Sequence, residues 1–121
     1  MNRRVFIDDK GIINVVSEAI QTRDTVRADV EQVTLLAKDL RAEGRPVLLL
    51  ADLTQAKKIS LAARQAGFDF FRAGIDRVAG FGNIPRLEML GTYIAKLCGY
   101  KNLKIFADRS EAESFLLAGR K

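Results

Sequence analysis

Two hydroxyls, Thr54 and Ser60, flank a pair of lysines, Lys57 and Lys58, in the stretch TQAKKIS that follows the apolar run LLLAD. A phosphate on Ser60 would meet two ammonium groups and, if a helix starts there, the unpaired amides of its first turn, a favourable setting for a dianion. The same serine serves as a helix N-cap, worth about 1 kcal/mol, so cap and phospho-acceptor are both open for Ser60, with Thr54 as a second acceptor in the loop before it. Acids at the ends of apolar runs, Asp8, Asp9 and Asp52, form another group, of the kind that accepts phosphoryl on a carboxylate. A third candidate is GFGN, residues 80 to 83, at a predicted strand-to-helix turn. There Gly82 and Asn83, with Arg86 one turn further, offer backbone amides and a guanidinium to an anion. GFGN lacks the third glycine of a dinucleotide fingerprint and the lysine of a P-loop, so Gly80 and Gly82 serve equally to let strand and helix approach closely.

Histidine is absent from all 121 residues, and Cys98 is the single cysteine. Ser-His and Cys-His nucleophile pairs and most zinc sites therefore have no imidazole to use, and no internal disulfide can form. Cys98, at the end of an apolar helix face, reads as a small buried hydrophobe. No cofactor and no metal site is expected, and an enzyme is not favoured. Apolar residues make up 48% and charged residues 29%, the proportions of one globular domain over 1–121 large enough to bury its own core. A net charge of +5 comes from bases spread along the chain among fifteen acids, and most of the seven phenylalanines lie in apolar segments. A mixed solvated surface is expected, with no nucleic-acid partner. The opening MNRRVFIDD is too short an apolar run for a leader or a membrane span, and a cytoplasmic location is expected.

These residues must be positioned by alternating elements. RVFID (4–8) and IINVV (12–16) read as strands separated by Asp9, Lys10 and Gly11, a tight hairpin. From Thr25 to Glu43 the apolar positions Val26, Val30, Val33, Leu36, Ala37 and Leu40 form one helical stripe, with Asp24 or Thr25 as its cap and Gly44 and Pro46 as its end. Val47–Ala51 reads as a buried parallel strand. A helix is predicted over 59–71, a strand over Arg77–Phe81, a helix from Pro85 to the Gly99 cap, a strand over Leu103–Phe106, and a last helix behind Asp108 and Glu111. The predicted order is β-β-α-β-α-β-α-β-α: an α/β fold whose mostly parallel five-stranded sheet has an antiparallel first strand and is accompanied by four helices. The hairpin also removes the receiver reading of Asp8, Asp9 and Asp52, because receivers place a helix between their first two strands.

With this order in place, DRVAGFGN, LGTYIAKLCGYKNLKIF and FADRSEAESFL together resemble the SpoIIAA-like group of the STAS superfamily, over nearly the whole chain and most strongly over 76 to 117. The resemblance implies a small bacterial cytoplasmic module that binds protein partners, switched in some members by phosphorylation of a serine after the third strand. It also implies likeness in fold to the CRAL-TRIO lipid-transfer domains. The switchable proteins carry an Asp-Ser-Ser-Gly-like turn where this chain reads TQAKKISLAA. The expected function is thus a non-catalytic regulatory or protein-interaction module. The alternative is a binder of a small anionic or amphipathic, lipid-like ligand at Asp52, Lys57, Lys58, Gly82, Asn83 and Arg86. Met89, Tyr93 and Lys96, opposite the apolar face of the predicted third helix, are candidates for an interface with a partner or with a second copy in a homodimer.

Overall fold

A computed structural model describes residues 4–17, 19–55, 58–59, 74–82 and 103–118. Val5–Ile7 (β1) and Ile13–Val16 (β2) form the expected hairpin, with Val5 opposite Val15 and Ile7 opposite Ile13. Its turn is built by Asp8, whose Oδ1 accepts the amides of Lys10 at 2.9 Å and Ile12 at 3.1 Å. Gly11 supplies the positive φ of 79° that the turn requires.

After β2 come a two-residue strand, Ile20–Gln21 (β3), and the long helix Arg23–Ala42 (α1). Then follow Leu48–Asp52 (β4), Lys58–Ile59 (β5), Arg77–Phe81 (β6), Leu103–Phe106 (β7) and Arg109–Ala118 (α2). The main sheet runs β1-β2-β4-β6-β7, antiparallel between β1 and β2 and parallel elsewhere, so the fold is α/β with the sheet the sequence predicts. Among the described residues there are two helices, not four; the helix expected over 59–71, apart from Ile59, and the helix expected from Pro85 to the Gly99 cap lie outside them.

Two local expectations are corrected. The first helix begins at Arg23, ahead of the predicted Thr25, and its cap is Thr22 instead of Asp24 or Thr25. Thr22 Oγ1 accepts the amide of Thr25 at 3.3 Å, and Thr25 Oγ1 accepts the amide of Thr22 at 2.9 Å. This is a reciprocal box that satisfies two otherwise orphaned donors. The apolar stripe starts only at Val26, so hydrophobic spacing alone places the helix start too late. Second, Ile59 belongs to β5, which pairs in parallel with β3 through Ile20–Lys58 and Gln21–Ile59. Helical periodicity after position 59 hides so short a ladder, whose β-branched residues favour extended backbone. The end of α1 is as predicted: Gly44, at φ 73°, allows Arg45 N to reach Leu40 O at 2.9 Å and Gly44 N to reach Arg41 O at 3.0 Å.

Apolar residues bury on both faces of the sheet. Val5, Val15, Leu49 and Val78 pack with Val33, Ala37 and Leu40 of α1. Ile12, Leu48, Leu50, Ala79 and Phe81 pack with Ala112 and Leu116 of α2. Alternate residues of β4 enter opposite clusters, and the uniformly apolar run LLL is the consequence.

Candidate functional site

The parallel strands end along one rim, where open α/β sheets place their ligands. Each exit is held by its neighbour. The amide of Ser17 donates to Asp52 O at 2.9 Å, that of Leu53 to Phe81 O at 3.0 Å, and that of Gly82 to Phe106 O at 3.2 Å. Asp52, partly buried at the end of β4, turns its Oδ1 to the amide of Thr54 at 3.1 Å and to its hydroxyl at 2.6 Å. Thr54 itself is exposed. The carboxylate thus orders the start of the loop and fixes the direction of a surface hydroxyl.

Gly80, one residue before the end of β6, is a close-packing position. A Cβ there would lie 2.9 Å from Ile105 Cδ1 and 3.1 Å from Leu53 Cδ1. Gly82 stands at φ 153°, a conformation that favours glycine.

A polar network joins the hairpin to α2. Asn14, 1% exposed in the middle of β2, donates from Nδ2 to Asp8 Oδ2 at 2.9 Å and to Ile12 O at 3.0 Å. Its Oδ1 accepts from Arg109 Nη1 at 3.1 Å. Arg109 also lies 3.4 Å from Glu113 Oε2, and its Cζ sits 5.3 Å from the centroid of the Phe81 ring. Glu113 Oε1 accepts from Lys10 Nζ at 2.7 Å, and that hydrogen bond and charge hold the Lys10 ammonium above its usual pKa. On the other face Arg4 grips Asp29, 3% exposed, in a two-pronged pair at 2.9 and 3.4 Å. Sequence reasoning missed Asn14, Arg109 and Glu113 as a unit. The available signal was Asn14 itself, one polar residue inside IINVV.

No protein-family model and no curated protein matches this chain. A solved structure does: an uncharacterised protein of the DUF3478 family with a SpoIIAA-like fold from Shewanella loihica PV-4. It is 21% identical, with 93% of this chain and 89% of that one covered at a TM-score of 0.60. The fold is SpoIIAA-like. At that identity the likeness concerns the fold alone.

In this SpoIIAA-like frame the third strand of the main sheet is β4, and the loop behind it opens with Asp52 and Thr54. Of the other residues singled out in the sequence, Lys58 has its backbone in β5 and Gly82 ends the β6 exit. Lys57, Ser60, Asn83, Arg86, Met89, Tyr93 and Lys96 lie outside the described residues. No helix among the described residues is long and apolar enough to cross a membrane. Among the same residues no group of three or more Asp, Glu or Cys is placed to hold a metal ion.

Proposed function

We propose that this chain is a non-catalytic STAS-like module of the cytoplasm that binds a protein partner or itself, with its binding set by a hydroxyl behind β4. The supporting observation is the Asp52–Thr54 turn, which presents an exposed hydroxyl after the third strand of the sheet, held at 2.6 Å by a carboxylate. A phosphate on Thr54 would lose that donor and place a second negative charge beside Asp52, opening the turn. A phosphate on Ser60 would instead be neighboured in sequence by Lys57 and Lys58, and would be drawn in. The two acceptors are thus switches of opposite sense. In this reading the four-helix arrangement is completed by helices over 60–71 and 85–98, and the second presents Met89, Tyr93 and Lys96 to the partner.

The second reading is a small anionic or amphipathic ligand at the same rim, held by Lys57, Lys58, Asn83 and Arg86 near Gly82. It is supported by the position of Gly82 at a parallel strand exit and by the net charge of +5.

Native mass spectrometry of the protein purified from its own host tests both. A phosphate adduct that disappears in Ser60→Ala or Thr54→Ala supports the switch. A stoichiometric small molecule in place of phosphate overturns it in favour of the carrier. A bare chain that neither captures a protein from the host nor self-associates defeats both readings.

A further inference from the structure

Asp52 holds two connections at once. Its carbonyl accepts the amide of Ser17, where the chain leaves β2, and its Oδ1 accepts the amide and hydroxyl of Thr54, where the chain leaves β4. A few residues further on the same two connections meet again, with Ile20 paired to Lys58 and Gln21 to Ile59 in the β3–β5 ladder. The residue after Gln21 is Thr22, the cap of α1. The ladder therefore stands between the carboxylate that holds the Thr54 hydroxyl and the start of the long helix.

A ladder of two residues per strand does not stand alone: two strands are marginal in water, and parallel pairing yields less per residue than antiparallel. Burial does little for it on the β3 side, since Ile20 is 61% exposed. What closes it is the short run of chain from two fixed points of departure, which keeps the entropy of closure small. Ser17 fixes one departure, on the Asp52 carbonyl, and the Asp52 carboxylate fixes the other. The cap depends on the ladder in turn. Thr22 is extended, at ψ 170°, when its Oγ1 accepts the amide of Thr25, and the ladder keeps Gln21, immediately before it, extended as well.

We propose that the β3–β5 ladder is a strap joining the turn behind β4 to the first turn of α1, so that opening the Asp52–Thr54 turn parts the ladder and releases the helix cap. The two-state element is the ladder, paired or parted, and both ends bias it. The coupling is reciprocal: loss of the cap loosens the ladder by the factor with which loss of the turn loosens the cap. The strap goes beyond the proposed function and stands without it, because it acts whatever opens the turn. Where Thr54 carries a phosphate, the first turn of α1 is the place at which the change arrives.

Amide exchange of the unmodified full chain, read residue by residue by NMR, tests the strap. Thr25 and Val26 report the cap, since their amides are bonded to Thr22 Oγ1 and Thr22 O. Asp52→Ala deletes the carboxylate and keeps the carbonyl that holds Ser17. It should raise exchange at Thr25 and Val26 about fivefold or more, with Val33 and Ala37 in the middle of α1 unchanged. Thr54→Val, which keeps the shape and deletes the hydroxyl, should give a smaller rise at the same two amides. Replacing Ile20 and Gln21 together by glycine weakens the extended backbone and cuts the strap. In that background the two amides exchange fast from the outset, and adding Asp52→Ala changes them by less than about twofold. Circular dichroism checks the fold of each variant, and if Asp52→Ala does not fold, Thr54→Val carries the test. Exchange at Thr25 and Val26 that stays at the wild-type rate overturns the proposal. So does a rise spread evenly over α1, which marks general loosening, or a rise that persists in the glycine background, which puts the coupling outside the ladder. Each of these failures leaves the partner-binding reading standing, because that reading is decided by the mass and the partners of the protein from its host.

Discussion

An amide buried inside an apolar strand has to find partners for its donors and acceptor, and Asn14 finds them in Asp8, Ile12 and Arg109. Its removal strands Asp8 Oδ2 and loosens Arg109. Asn14→Ala is therefore expected to lower stability by about 2 kcal/mol in urea unfolding, and Asn14→Leu, of similar size, recovers little because the charged neighbours keep their unmet needs. Lys10→Met differs in kind. Its ammonium is exposed and its folded-state pKa is raised above 10.5 by Glu113. A raised pKa contributes stability below the unfolded value and loses it as pH climbs through the folded one. Wild type and Lys10→Met should therefore show a constant stability difference from pH 6 to about 10 that closes at higher pH, and added salt should shrink it. Thermal melts across that range check the sign.

Elements are set by their ends and by the residues that let them approach one another. Thr22→Ala removes one half of the box at the start of α1 and should cost about 1 kcal/mol, while Asp24→Ala, at the position first expected to cap, should cost less. Gly80→Ala drives a methyl against Ile105 Cδ1 and Leu53 Cδ1. Because both contacts are ends of side chains that can yield, a loss of about 1 kcal/mol is expected. Ile105→Val, which deletes the nearer atom, should make the double variant better than the sum of the singles in chemical denaturation. The legibility of the chain follows the same division. Strands and the long helix show in the sequence because their hydrophobic spacing is long enough to define a period, and Gly44 and Gly11 mark ends that need positive φ. The start of α1, the β3–β5 ladder and the Asn14 network do not show, because hydrogen bonds made by two or three residues set them and these leave no period. Asp52 is legible as an acid at the end of an apolar run; its grip on the Thr54 hydroxyl is not.

At the scale of the molecule, one sheet separates two apolar clusters, so among the described residues α1 and α2 join different clusters yet depend on the same strands. If 1–121 folds as one domain, Leu40→Ala on the buried face of α1 and Leu116→Ala on the buried face of α2, at 2% and 0% exposure, should each cost about 3 kcal/mol. Both should move the denaturant midpoint without changing its slope. Separate transitions for the two would show independent units. The sheet also carries its own wiring along the rim, where the exit amides of Ser17, Leu53 and Gly82 each bond the last residue of the neighbouring strand. Each connection therefore departs from an anchored stump. Loops grafted or lengthened beyond Thr54 and Gly82 would inherit a fixed point of departure, leaving the chain free to acquire new recognition segments while its strands keep their register.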